Sequence, residues 1–386
     1  MNTPRTPRLR LRVRGGPVHV SKWRWRGNIA LLGVALAFVL YPLLPNADVI
    51  NSDWPAFATG ARLIVSDPSH LYDLKVQRQA ESDVTGGRVL VTLGIGGILP
   101  FLAPAWVALL AAPFEVFGTD IGGRLWILFG LACVGAGLYL STRPRPPTAF
   151  LPAFASVPTA LMMLNAQLDG IVALGIGAAI ALWSRPYLAG ASLGLTLVKP
   201  QLVLPLALAL LLARRWRVLA GWAAVGLLLV AATLVLSPHW LFDWLGQTRS
   251  TIQAGAREIN LPHFAIFLPS AARTYGLVAL TLIGVGSALV LAARRRNDLN
   301  AGAAILVIGG VVASPHALPS DLVLVALGLA IWGKATWTEW LALSVGALIT
   351  ALAPDPIPAA IGLALMWWLT LRISLYRREP ALASAR

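Results

Sequence analysis

The sequence predicts an all-α protein that crosses a membrane many times, and three observations point there. Of 386 residues, 57% are apolar and only 12% are charged, against about 45–50% and about 25% in soluble globular domains. Apolar runs near the roughly 20 residues that a spanning helix needs succeed one another from about residue 28 almost to the C-terminus. The basic residues are segregated: eight of the 31 lie between Arg5 and Arg26 with no acidic residue among them, and most others fall in short turns between runs. That is the positive-inside pattern of a membrane protein rather than the spread basic face of a nucleic-acid binder. No nucleic-acid partner is expected.

Residues 1–27 read as a cytoplasmic basic tail. Ile29 to Leu44 reads as an uncleaved first span, because no small-x-small cleavage site comes after it. Residues 46–92 then form a first external loop, in which Trp54, Phe57, Ala58, Ala61, Ile64 and Val65 make a period-3.6 stripe too short to span, the pattern of a helix lying in the membrane interface. Further spans are expected at 93–113, 122–141, 149–164, 167–183, 187–213 and 217–236, with 149–164 and 167–183 short enough to be partial or re-entrant. A second external loop at 237–272 repeats the interfacial stripe with Trp240, Leu241, Trp244, Leu245, Thr248 and Ile252. Spans at 273–293, 300–316, 319–333, 336–352 and 357–375 bring the total to about 12, and residues 377–386 end the chain in the cytoplasm. Residues 28–376 are thus one integral membrane domain. In this threading Arg143 and Arg145 fall outside, against the charge trend. Gly190 and Gly194 have the small-xxx-small spacing of a packed helix pair, and the single cysteine, Cys133, reads as a packing residue.

Chemistry belongs to the few polar residues that interrupt this pattern. Asp53, in Asn51-Ser-Asp-Trp-Pro55, stands where water and lipid meet and is placed either to take a proton from a hydroxyl or to cap the helix after it. Lys199, in Leu197-Val-Lys-Pro-Gln201, interrupts a run of about 25 apolar residues, at a cost of at least about 2.5–3.5 kcal/mol at the bilayer centre; it either faces a cavity holding an anion or snorkels to an interface. Pro200 beside it breaks the helix. His316 has Asp321 five residues on, either as a polar pair at a cavity mouth or as a loop with a capping acid. Gln167 and Asp169 form a polar break between two short spans, which is equally a plain turn. Tyr72 precedes Asp73 at the start of a second external helix, and Arg257 and His263 stand singly in the later loop. No spacing of His, Cys, Asp or Glu builds a metal site, and no phosphate-cradling glycine loop or nucleotide fingerprint appears, so no cofactor is expected.

The order of the segments resembles glycosyltransferase family 87, polyprenol-phosphate-mannose-dependent mannosyltransferases of the C-type (GT-C) superfamily. The resemblance lies in Asp53-Trp-Pro-Ala-Phe-Ala-Thr-Gly-Ala-Arg-Leu-Ile with Leu71-Tyr-Asp73, then Leu99-Pro-Phe-Leu-Ala-Pro104, Ala166-Gln-Leu-Asp169, Ala189-Gly-Ala-Ser-Leu-Gly-Leu-Thr-Leu-Val-Lys-Pro200 and Ser314-Pro-His316. It covers roughly residues 28–335. It implies a GT-C fold in a bacterial inner (plasma) membrane with the active site on the external face. The implied activity is transfer of a sugar, by family preference mannose, from a polyprenyl-phosphate donor to a lipid or glycan acceptor. It also implies that Asp53 is the catalytic base and that Lys199, His316, Gln167, Tyr72, Arg257 and His263 bind substrate, with inversion at the anomeric carbon. Phe57 stands where the family commonly has Tyr, and Asn260-Leu-Pro-His263 replaces an Asn-Gln-Ser stretch usual in the second loop. The alternative from another class is a multi-pass transporter or flippase of a lipid-linked or small anionic substrate, since polar residues within spans also mark translocation paths.

Overall fold

The computed structural model describes residues 36–44, 49–88, 98–146, 149–250 and 257–376, apart from the side chains of residues 248–250. The basic tail, the first half of the first span, the start of the 93–113 run, Ile252 and the 377–386 tail lie outside the described residues. Among the described residues the regular elements are helical: α1 (Trp54–Ser66), α2 (Leu74–Thr85), α3 (Ala105–Glu115), α4 (Gly118–Thr142), α5 (Leu151–Phe154), α6 (Val157–Leu164), α7 (Asp169–Ala181), α8 (Pro186–Leu193), α9 (Leu204–Leu212), α10 (Trp216–Leu236), α11 (Trp240–Ser250), α12 (Ser270–Ala293), α13 (Leu299–Ala313), α14 (Leu322–Trp332), α15 (Trp337–Leu352) and α16 (Ile357–Leu375). Of these, α4, α10, α12 and α16 are long and apolar enough to cross a membrane, and seven shorter apolar stretches of helix accompany them.

Helix α14 is the central post. Every one of its eleven residues is buried, which matches a sequence apolar on all sides. Helices α10 and α12 are mostly exposed along their length, the condition of helices that face lipid. Between α4 and α7 the backbones nearly touch: a Cβ on Gly170 or Gly177 would collide with the carbonyl oxygen of Gly130 or Gly137. Only glycine permits that approach, and it places the N-terminus of α7 firmly against α4. Gly190 and Gly194, the small-xxx-small pair, do pack against a helix, Gly190 on the Val218 carbonyl and Gly194 on the Val225 side chain of α10.

Contacts divide the turns between two ends of the bundle, and they correct the threading. Arg62 pairs with Glu115 at 2.7 Å, Arg88 with Asp120 at 3.3 Å, and the Leu99 amide donates to Glu81 at 2.8 Å. Residues 98–120 therefore stay at the end that carries the first loop, and α3 lies along α1 instead of spanning as the 93–113 run predicts. Its eleven residues reach only about 16 Å, half a bilayer core. One lost crossing reverses the sidedness of the next turns. Arg145 now sits at the opposite end, donating to the Ile331 carbonyl at 3.3 Å, together with Lys334–Asp298, Arg295–Asp298 and Arg372–Glu339 pairs. The two arginines that broke the charge trend thereby join the basic end. The 187–213 run is also not one span. It breaks at Lys199, between the 3-10 turns Gly194–Val198 and Pro200–Val203. Its two legs enter and leave at the basic end, where Arg215 lies 5.7 Å over the Trp183 ring. This hairpin restores the expected sidedness from Arg214 onward.

The interfacial reading of α1 also changes. Its stripe is covered by α3 and α4, with Trp54 and Phe57 packed 5.8 and 5.4 Å from the Trp126 ring; of the stripe only Val65 is exposed. Helix α11 keeps an open face, because Trp240 is buried while Phe242 and Leu245 are exposed.

Candidate active site

Where helices are cut short, polar turns take their place at one end of the bundle. Helices α7, α13 and α14 have 13, 15 and 11 residues, against 25, 21 and 24 in α4, α10 and α12. The turns that replace the missing helix at the first-loop end are the polar breaks of the sequence: residues 165–169, 198–200 and 314–321.

Asp53 precedes α1, but its carboxylate makes no capping bond. The local hydrogen bonds are made by Ser52, whose Oγ donates to the Val49 carbonyl at 2.6 Å and accepts the Trp54 amide at 3.2 Å. Pro55 in the first turn has no amide to satisfy. The carboxylate thus stays free of the helix and accepts instead from Nε2 of Gln167. The two segments are tied through the backbone as well, the Asp53 amide donating to the Asn165 carbonyl at 3.2 Å. Ala166 holds a left-handed conformation, φ 52°, and its carbonyl is pinned by Trp126 Nε1 at 2.9 Å. Burial pushes the Asp53 carboxyl up to about 6; Lys199 and His316 pull it down, and Asp321 opposes them. A carboxylate poised near 6 is still ionised at neutral pH and is a stronger base than an ordinary aspartate.

Two residues after Gln167, the same turn supplies Asp169. Its two carboxylate oxygens each lie 3.1 Å from Lys199 Nζ, and Asp321 Oδ1 lies 2.6 Å from the same ammonium on the other side. The side chains of Asp169, Asp321 and Lys199 are 0%, 2% and 13% exposed. The sequence leads one to expect Lys199 to face an external anion as an unpaired charge or to snorkel; it does neither, because two buried carboxylates enclose it. Sequence reading leaves Asp169 and Asp321 out of the binding set. The available signal is charge balance: a lysine within a long apolar run needs acids on other spans, and these are acids within otherwise apolar segments.

Asp321 is therefore not the partner of His316. Its second oxygen accepts the Leu318 amide at 2.6 Å, while His316 Nδ1 lies 2.9 Å from Glu258 Oε1. The His316 side chain is half exposed. Desolvation works against the imidazolium, but the hydrogen bond and charge of Glu258, with Asp321, outweigh it and raise its value above the ordinary one, while Lys199 opposes.

The second loop returns over this turn. The Ile259 amide donates to Ala317 and that of Leu261 to Val312, at 2.9 and 3.0 Å, and Asn260 Nδ2 donates to the Ser314 carbonyl at 2.7 Å. Buried His263 has Nε2 at 2.8 Å from Asp355 Oδ1 and Nδ1 at 4.0 Å from Glu258. Arg257 donates to the Ala351 carbonyl at 2.5 Å. Both residues bind the loop to its neighbours. Tyr72 is buried and donates to the Ala103 carbonyl at 2.8 Å, and Asp73 caps α2 through the Lys75 and Val76 amides, as the sequence predicts. The structure thus gathers Asp53, Gln167, Lys199 and His316, adds Asp169, Asp321 and Glu258, and sets Tyr72, Arg257 and His263 in packing roles around them.

A model of glycosyltransferase family 87 matches residues 101–315, more than half of the chain. The match takes in Gln167, Asp169 and Lys199, starts after Asp53 and ends before His316 and Asp321. No curated protein and no solved structure matches.

Proposed function

The chain belongs to glycosyltransferase family 87, and from that premise we propose that it moves a sugar, mannose by the family's preference, from a polyprenyl-phosphate donor to a hydroxyl of a lipid or glycan acceptor, with Asp53 as general base. The observation that carries this reading is the Asp53 carboxylate itself. It is withheld from capping, oriented by Gln167 and desolvated.

In the proposed reaction an acceptor hydroxyl approaches Asp53, which takes its proton as the oxygen attacks the anomeric carbon. The bond from that carbon to the donor phosphate breaks with its electron pair on the phosphate, so the configuration inverts. Such a base typically contributes about 10²–10⁴-fold. His316, whose Nδ1 is held by Glu258, is placed to donate from Nε2 to the leaving phosphate when its ring carries the second proton. Lys199 is a positioning residue in this scheme. It joins the turn that bears Gln167 to the turn after His316, and its charge partly offsets the upward effect of burial on the Asp53 carboxyl.

Sidedness is read from charge. Arg143, Arg145, Arg185, Arg214, Arg215, Arg294, Arg295 and Arg296 share the end opposite Asp53, which by the positive-inside rule is the cytoplasmic one. Asp53 and His316 then lie on the outer face of a plasma membrane. Membranes incubated with radiolabelled polyprenyl-phosphate-mannose should move label into a larger glycolipid, and those carrying Asp53→Asn should not. Equal incorporation by both would remove Asp53 from the reaction.

A further inference from the structure

A polar cleft lies apart from Asp53, between the corner at the end of α1 and the open face of α11. Its volume is about 400 Å³, within the range of small-molecule sites, and its walls include His70, Tyr72, Asp73, Phe242, Asp243 and Gln247. Three features of those walls point to one ligand chemistry.

Phe242 is 74% exposed although it stands among polar groups. An aromatic face in such a setting offers a flat apolar surface to a ligand that is itself polar around an apolar face. The polar groups are arranged as acceptors with unused capacity. Asp73 spends Oδ1 on the Lys75 and Val76 amides and keeps Oδ2; the Asp243 amide donates to the His239 carbonyl, but its carboxylate has no ion-pair or hydrogen-bond partner among the described residues. His70 is held by Asp67 through Nδ1 at 2.9 Å, leaving Nε2. A pyranose ring presents C–H groups on a face and hydroxyl donors around its edge, which such walls satisfy together. Two carboxylates in the walls, Asp73 and Asp243, disfavour a phosphate or other anion there.

The location connects this cleft to catalysis. Asp53 opens α1 and His70 lies just past its end, so one rigid helix of 13 residues, about 20 Å long, joins the two sites at the same end of the bundle. A single sugar cannot occupy both, whereas a short oligosaccharide can. We propose that the cleft between residues 69–73 and α11 binds a neutral oligosaccharide portion of the acceptor, with Phe242 as the stacking platform and Asp73 and Asp243 as hydroxyl acceptors. Calling the ligand the acceptor rests on the transferase reading; the carbohydrate site itself does not.

The test uses the full chain in lipid nanodiscs with mannotriose as probe, read by saturation-transfer NMR. The parent and Asp53→Asn should transfer saturation to mannotriose alike, and Phe242→Ala should weaken binding at least tenfold, with Asp243→Asn also weaker. Because Phe242 is exposed, its loss should leave the fold intact, which an unchanged reactivity of the buried Cys133 thiol checks. No signal in the parent, or an unchanged one in Phe242→Ala, would overturn the proposal. Loss in Asp53→Asn as well would put the sugar at the catalytic carboxylate and overturn it too. A parent chain that binds mannotriose through Phe242 but transfers no sugar would count against the transferase reading and leave the carbohydrate site standing.

Discussion

Lys199→Met tests the construction of the site most directly, because sequence and structure lead to different expected results. A lysine that faced a water-filled cavity would tolerate methionine with the fold intact. Among the described residues the ammonium is the only cation touching Asp169 and Asp321, whose side chains are 0% and 2% exposed. Removing one member of a buried ionic cluster leaves uncompensated charge and costs about 3–5 kcal/mol, or roughly two to three and a half powers of ten in the folding equilibrium. The same change loosens the attachment of residues 165–169, the break at Lys199 and the 319–321 turn. The reporter is built in: Cys133 is the single cysteine, buried and unpaired, so its reaction with a fluorogenic maleimide during heating records opening of the bundle. Lys199→Met should react at markedly lower temperature than the parent. Lys199→Met with Asp169→Asn and Asp321→Asn should recover most of that loss, since a cluster neutralised as a whole leaves no stranded charge. Parental stability in the single variant, or a triple variant no better than the single, would refute the enclosed-ammonium account.

Three further outcomes are expected. Asp53→Asn, nearly isosteric, should keep the parental Cys133 reactivity and lower turnover by about 10²–10⁴-fold; a loss under tenfold would exclude it as base. Because the Asp53 carboxyl lies near 6 and must be ionised to accept a proton, kcat/KM should fall as pH drops through about 6, and Gln167→Leu should move that limb upward while removing a hydrogen bond to charge worth about 1.5–3 kcal/mol. An unmoved limb would separate Gln167 from the base. Finally, on the variant background lacking Cys133, cysteines at Arg143 and Asn297 should be labelled from the same side of intact cells and one at Ser82 from the other. Labelling of Arg143 together with Ser82 would restore the threading that counts 93–113 as a span.

The class of protein and the position of each polar break are legible in the sequence, because both depend on local composition. Asp53, Gln167, Lys199 and His316 stand out as polar residues where apolar ones are the rule. Pairing is less legible. A five-residue spacing suggests Asp321 as the partner of His316, yet Lys199, 122 residues away in sequence, is its partner; spacing along a chain carries no information about which turns meet at one end of a bundle. The threading error has the same origin. Residues 98–115 are as apolar as a span, but hydropathy does not distinguish lipid from the buried back of a neighbouring helix, and here α1 supplies the apolar partner. Glu115, facing Arg62 of α1, is the local hint.

The arrangement also bears on the choice between an enzyme and a carrier. A carrier requires polar groups along a route that can open to either side. Below Lys199 and Asp321 the route toward the arginine end is occupied by α14, eleven buried residues from Leu322 to Trp332 with no charge among them. The ion cluster fastens three segments to one another rather than lining a passage. Asp53, His316 and the cleft beside α11 all lie at one end of it. In the proposed reaction the donor and the acceptor therefore arrive from that same end, as a lipid-carried sugar would, with α14 as a floor instead of a gate.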